Sequence, residues 1–238
     1  MSQSSIEAEA EFNAYAAEYD ALLARGISIS GEDKNYFASG RVVWLARCLA
    51  CLQKHPRTAM DFGCGTGSAT PFLLNELKLD ELVGLDASVQ SLAIARHAHG
   101  NRARFVPLAE YRPEGLFDLV FCNGVFHHIP PGDRIAAIGT VYSSLRPGGL
   151  FAFWENNPWN PGTRYIMRRI PFDRNAVPLS PPAACRLLGE CGFEIIRTDF
   201  LFFFPRFLSW LRPLEPGLAR LPLGAQYQIL CRKPEGMG

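Results

Sequence analysis

The stretch AMDFGCGTGSAT, residues 59–70, sets Gly63, Gly65 and Gly67 at alternate positions directly behind an acidic residue, Asp61. TAMDFG reads as a short buried strand and SATPFLLNEL as the helix that follows it, so the glycines form a strand-to-helix turn. At the carboxyl edge of a doubly wound sheet, such a turn is where nucleotide ligands bind. Glycine lets the chain turn tightly and lets a ligand approach without meeting a Cβ. Asp61 conflicts with a phosphate at this mouth, because a carboxylate repels a pyrophosphate and attracts a positive centre.

Outward from the turn, the alternation continues through the chain. ELVGLDAS, ARFVPL, FDLVFCNG and LFAFWEN read as strands, and VQSLAIARHAH and DRIAAIGTVYSSL as helices. Strands alternating with helices predict a mostly parallel sheet covered on both faces. Before the turn, Phe12, Tyr15, Tyr19, Leu22 and Leu23 recur at helical spacing in residues 7–24, with a stop near Gly26. A second helix is expected over 34–53. Residues 156–180, rich in proline and arginine, break the rhythm and are expected to hold at most two helical turns. PPAACRLLGECG resumes as a helix, FEIIRTDFLFFF and AQYQILCRK read as two last strands, and a Pro- and Leu-rich stretch lies between them.

With 238 residues, 48% of them hydrophobic, the chain has apolar material for one substantial core. Its formal charge of +1 argues against a broad basic face for nucleic acid. Seven scattered cysteines and a start without a leader fit reduced thiols and a cytoplasmic location. Cys48 and Cys51 form a lone C-x-x-C within an apolar helical run, which favours buried helix cysteines over a metal site. No metal is expected, and no stretch has the length and apolarity of a membrane span.

The second strand ends at Asp86, where a carboxylate can accept both hydroxyls of a ribose. A nicotinamide dinucleotide is the competing ligand, but its fingerprint wants glycine where Ser68 stands. DFGCGTG, GLDAS, FDLVFCNGVFHHI and LRPGGLFAFWE, in this order across about residues 57–156, resemble the motifs of class I S-adenosylmethionine-dependent methyltransferases of small-molecule type. The resemblance implies a Rossmann-like, doubly wound, seven-stranded, mostly parallel sheet with an antiparallel last strand, N-terminal helices and lid insertions. Residues 1–54 would form a helical cap. Residues 55–238 would form the core, with a lid at 156–180 and an apolar insertion at 205–224.

The resemblance also implies roles by position. S-adenosylmethionine would be the cofactor and S-adenosylhomocysteine the product. Asp61 and the loop of Gly63, Cys64, Gly65 and Gly67 would hold the cationic methionine end, Asp86 the ribose, and Ala87 the adenine. Asn123 and Gly124 would line the strand edge near the sulfonium. Where relatives carry Asp in a turn after the third strand, this chain reads PLAEY, so Glu110 or a backbone carbonyl would substitute. Tyr15 or Tyr19 would face the sulfonium, or else pack on the helix face; Arg41 would pair with the methionine carboxylate, or else be a surface charge. Capping or turn formation is the alternative role for Asp61 and Asp86.

Methyl transfer from a sulfonium needs a dry, shaped pocket, and a base only where the nucleophile must lose a proton. His127 and His128 are the candidate bases, with a structural turn as the competing reading and His128 the better placed. Trp159, Arg164, Tyr165 and Arg168 could hold an anionic group on an apolar skeleton, or form a solvated helix face. The phenylalanine-rich stretch 200–211 fits a pocket cover, a peripheral membrane contact, a dimer surface or a packed edge strand. The expected acceptor is an apolar or amphipathic small molecule, with O-methylation favoured and a monomer or homodimer as the assembly. The alternative is a methyltransferase-like protein that binds the cofactor but catalyses another reaction or serves as a binding partner.

Overall fold

Alternation along the strands decides which side chains enter which layer. In the computed structural model, which describes residues 19–173 and 176–236, seven strands form one sheet: β1 (Thr58–Phe62), β2 (Glu81–Asp86), β3 (Arg104–Pro107), β4 (Phe117–Asn123), β5 (Leu145–Asn156), β6 (Glu194–Leu201) and β7 (Gln226–Arg232). Their order is β3-β2-β1-β4-β5-β7-β6. β1 to β5 pair in parallel, and β7 runs antiparallel to both neighbours. The sheet is therefore the seven-stranded, mostly parallel one with a reversed last strand.

The helices are α1 (Tyr19–Ile27), α2 (Lys34–Cys51), α3 (Thr70–Leu77), α4 (Val89–His99), α5 (Arg134–Ser144), α6 (Pro161–Arg169), α7 (Pro181–Glu190) and a single turn, α8 (Glu215–Leu218). Met60, Phe62, Val120 and Phe151 pack on one face of the sheet against Ile138 and Val141 of α5 and Leu188 of α7. Ala59, Phe121, Ala152 and Trp154 pack on the other against Val42 and Leu45 of α2 and Leu73 of α3. The same alternation carries Asp61 to the α2 side and Glu155 to the α5 side, both at the carboxyl edge.

Several boundaries differ from those expected. The part of the first helix before Tyr19, with Phe12 and Tyr15, lies outside the described residues. The end of α1 does fall where expected, at Ile27 beside Gly26. A Cβ at Gly26 would stand 2.3 Å from Cγ1 of Ile170, so this glycine allows close packing of the helix on the lid. The lid carries nine residues of helix, more than two turns, because Asn160 caps α6 by accepting from the Thr163 amide at 2.9 Å. The strand expected through Phe204 ends at Leu201. There Phe202 turns into a left-handed conformation, φ +62°, and the amides of Phe203 and Phe204 donate to Glu215 Oε1 at 3.2 and 3.0 Å. The LRPGG turn is absorbed into β5. Of the C-x-x-C pair, Cys48 is buried but Cys51 is exposed; all seven thiols are free.

A buried carboxylate anchors the sheet at its amino end. Asp118 accepts from the amides of Arg57 and Thr58 at 2.6 and 3.1 Å and pairs with Arg146 at 2.8 Å. Asp118→Ala leaves two amides without their acceptor, a cost of about 2–3 kcal/mol. At about 2–4 °C per kcal/mol for a chain of this size, thermal unfolding should move down by roughly 4–12 °C.

Candidate active site

The glycine turn is built by its backbone. The amides of Gly63 and Cys64 both donate to the Leu85 carbonyl, at 2.8 and 2.9 Å, which binds the loop to the end of β2. Gly63, Gly65 and Gly67 all have positive φ, at +76°, +53° and +79°. Their surroundings differ. A Cβ on Gly63 would meet Val125 Cγ2 at 2.2 Å, whereas a Cβ on Gly65 would have nothing within 4 Å. Gly63 therefore serves close packing, and Gly65 faces open space that a ligand can enter. Cys64 turns its thiol into the small cluster with Leu92, Ala95 and Phe105, where burial pushes it well above its ordinary range.

Two carboxylates flank the loop in different states. Asp86 is held, with Oδ2 accepting from the Gly65 amide and Oδ1 from the Ser88 amide, each at 2.8 Å. Ala87 lies half-buried beside it. Asp61 is buried, with 3% of its surface exposed. Its ionisation is pushed up to about 7, by burial first and the neighbouring Asp86 second, against the opposing pull of Arg41. A buried acid in that condition invites a cation. A ligand bearing an ammonium group and a ribose fits this set: open space at Gly65, a costly carboxylate at Asp61 and a pre-oriented one at Asp86.

Beyond the carboxyl ends of β4 and β5 lies a cavity of about 650 Å³. Asn123, Gly124, Arg41, His127 and His128 border it, and so do Tyr36, Phe37, Phe172 and Phe202 to Phe204. Arg41, buried on α2, donates to Gln226 Oε1 of β7 at 2.8 Å. Of the lid residues expected at the acceptor, Tyr165 borders the cavity; Trp159, Arg164 and Arg168 are exposed and do not line it. Glu110 is exposed on the turn after β3. The backbone of Tyr19 opens α1, and its side chain lies outside what is described.

The HHI turn is fixed from behind by residues the sequence reading left out. Glu155, buried at the end of β5, accepts from the amides of Phe126 and His127 at 2.8 and 3.3 Å. Its other oxygen stands 2.5 Å from Nδ1 of His127. Arg134 donates to the carbonyls of Phe126, Ile129 and Val177. Asp173 Oδ1 lies 3.6 Å from Nε2 of His127 and 3.3 Å from Nε2 of His128.

These neighbours drive the two imidazoles apart. Burial alone would lower His127, but Glu155 and Asp173 outweigh it and raise it to about 10, so it stays an imidazolium. Burial and the His127 charge lower His128, which is neutral near pH 7. Asp173 is held below its ordinary range, since its bonds to both histidines outweigh its burial. His127, His128 and Asp173 also place three ligand-type atoms within 4.8 Å. Hydrogen bonds within the cluster account for that convergence. The signal for Glu155 was an acid closing the apolar run LFAFW; Asp173 carried no local signal.

The fold and this edge define a doubly wound transferase-type domain that binds an adenosyl ligand with a cationic end. A methyltransferase-domain family model matches residues 60–151. A trans-aconitate 2-methyltransferase of Methylobacterium nodulans is 30% identical over 200 residues, covering 74% of this chain and 76% of that protein. A demethylmenaquinone methyltransferase of Thermus thermophilus is 31% identical, covering 68% and 72%. The match spans only about half the length of other trans-aconitate 2-methyltransferases, at 48% and 52%. Among solved structures, a SAM-dependent methyltransferase of Thermotoga maritima superposes with a TM-score of 0.64 at 20% identity, covering 95% of this chain and 99% of that one. The chain belongs to the S-adenosylmethionine-dependent methyltransferases, and S-adenosylmethionine is its cofactor.

Because its pKa in the fold lies above the unfolded value, Asp61 stabilises the apo-protein at low pH. That contribution is lost as pH rises from about 4 to about 7. Asp61→Asn should flatten this part of the stability profile and raise the melting temperature of the apo-protein at pH 8. It should also weaken S-adenosylhomocysteine at least about tenfold, through loss of the charged partner. Thermal unfolding against pH, with and without S-adenosylhomocysteine, measures both.

Proposed function

We propose that this chain transfers the methyl group of S-adenosylmethionine to a hydroxyl of an apolar or amphipathic small molecule, with His128 as general base. The observation that carries this reading is that one aromatic cavity touches both Asn123–Gly124, beside the cofactor loop, and the neutral imidazole of His128. Asp61 and the Gly65 turn would hold the methionine end, with Arg41 toward its carboxylate, and Asp86 the ribose.

The cofactor supplies a methyl group on a sulfonium. His128 would take the proton that the acceptor oxygen loses as it receives the methyl. Asp173 accepts from Nε2 of His128, which orients the ring. His127 cannot share this work near neutrality, because Glu155 and Asp173 keep it protonated. The aromatic wall excludes water and favours a reaction in which charge is dispersed.

The acceptor class follows from the lining. Tyr36, Phe37, Phe172, Phe203 and Phe204 offer flat apolar contact, and the cations at the wall are Lys34, Arg41, Arg212 and the imidazolium of His127. Arg212 is paired with Glu32 at 2.8 Å and stacked over Tyr36. An apolar skeleton with one polar or anionic group fits this better than a small polyanion. The names of the two relatives, one acting on trans-aconitate and one on demethylmenaquinone, bracket that choice, and the lining favours the second kind. Trp159, Arg164 and Arg168 stand outside the cavity, and Glu110 is exposed on the turn after β3.

The test is turnover of S-adenosylmethionine to S-adenosylhomocysteine against phenols, quinols and aliphatic carboxylates. Phenols or quinols should be methylated on oxygen. Activity should fall as pH drops through the lowered His128 pKa, below the ordinary 6.5. His128→Gln should cut kcat by about 10²–10⁴-fold and remove that acid limb while leaving S-adenosylhomocysteine affinity unchanged. Turnover by the variant at the wild-type rate across pH would rule out the base.

A further inference from the structure

The cavity opens onto a surface whose composition differs from the rest of the chain. The segment Arg206–Leu214 runs in 3₁₀ turns after the kink at Phe202 and leaves Phe207 77% exposed and Trp210 73% exposed. Leu214, Leu221 and Leu223 are exposed beyond it, and Trp159 and Tyr165 on the lid, with Ile29 on the turn after α1. These side chains belong to neighbouring pieces of backbone. Asn157 and Asn160 donate to the carbonyls of Pro222 and Leu223, joining the lid to the loop before β7. Cβ of Arg206 packs on Gly31, joining the 3₁₀ segment to the Ile29 turn. Ile29, Tyr165 and Phe207 are themselves part of the cavity lining, so the patch surrounds its mouth.

On the lid and the segment after Phe202 the exposed charges are of one sign, while the Ile29 turn adds one exposed acid, Asp33. Across 157–173 and 202–224, the exposed ionic residues are Arg164, Arg168, Arg169, Arg206 and Arg220. The acids there are withdrawn: Asp173 is buried against the histidines, and Glu215 is half-buried on the amides of Phe203 and Phe204. Elsewhere on the described surface exposed acids and bases are mixed, as Asp80 with Arg57 and Glu194 with Arg232. Exposed Trp, Phe and Leu interleaved with arginine, on a short amphipathic segment, are the composition that settles at an anionic membrane interface. A protein partner would meet as large an apolar patch, but it would not call for exposed charges of one sign. No helix among the described residues is long and apolar enough to cross a membrane, so the contact is peripheral.

We infer that this face docks on the surface of an anionic phospholipid bilayer. Phe207, Trp210 and Leu214 enter the interfacial layer, the arginines meet the headgroups, and the cavity mouth opens toward the bilayer. Docking does not depend on methyl transfer. Its consequence, that the acceptor is a lipophilic molecule drawn from the membrane, rests on the reading of the cavity as the acceptor site.

Vesicle flotation with the full chain tests it, using phosphatidylcholine alone and phosphatidylcholine with 30% phosphatidylglycerol. The chain should float with the anionic vesicles and not the neutral ones, and partition should fall at least tenfold between 0.1 and 0.5 M NaCl. Trp210→Ser with Leu214→Ser, and separately Arg164→Ser with Arg168→Ser, should each lower partition at least tenfold. Both variants should keep the thermal shift given by S-adenosylhomocysteine, which separates loss of docking from misfolding. Absence of flotation with anionic vesicles, equal flotation of both variants, or concentration-dependent dimers abolished by Trp210→Ser would overturn the proposal. Loss of the S-adenosylhomocysteine shift in the wild type would instead count against the cofactor site, independently of docking.

Discussion

The carboxylate of Glu155 holds the active edge together. It is 1% exposed, and a charge so deep is tolerated only when its lone pairs are filled and its charge is balanced. The amides of Phe126 and His127 and the His127 ring meet both conditions. This one contact joins the end of β5 to the turn leaving β4, from which Gly124 and both histidines face the cavity. It also commits His127 to the protonated state, and that positive charge helps keep His128 neutral.

The buried charges of this molecule fall into two kinds. Glu155 with His127, Asp118 with Arg146, and Asp199 with Arg197 are paired within the chain, and the first two pairs tie separate segments together. Asp199, wholly buried, also accepts from Trp44 Nε1 and so fastens α2 to β6. Asp61 belongs to the other kind. Its burial costs the apo-protein stability, and under the proposed reading the ammonium of the cofactor would offset that cost. Conflict between local stability and burial is expected where a ligand completes the structure.

The aromatic wall of the cavity arises from a break in regular structure. Had β6 continued through FLFFF, Phe203 and Phe204 would have alternated across a sheet edge. Glu215 captures their amides instead, Phe202 adopts a left-handed backbone, and the three rings turn toward the cavity beside Tyr36 and Phe37. The same departure sends Phe207 and Trp210 outward. Pocket and exposed face thus share one origin, a carboxylate twelve and eleven residues beyond the two amides it holds.

Much of this was legible from local pattern. Period-two and period-3.6 hydrophobicity located the strands and nearly all the helices, and the glycine turn behind Asp61 located the cofactor edge, because both signals are short-range. The sequence by itself therefore determined the sheet and the position of the glycine loop behind Asp61. Only the tertiary structure decided which histidine stays neutral, since that depends on Glu155 and Asp173, 28 and 46 positions from His127 in the chain. It likewise decided that Tyr165 lines the cavity while Arg164 and Arg168 face out. A helix of arginines and aromatics reads alike in sequence whichever way it is turned, and its orientation was set by the packing of Thr163, Met167 and Ile170 beneath it.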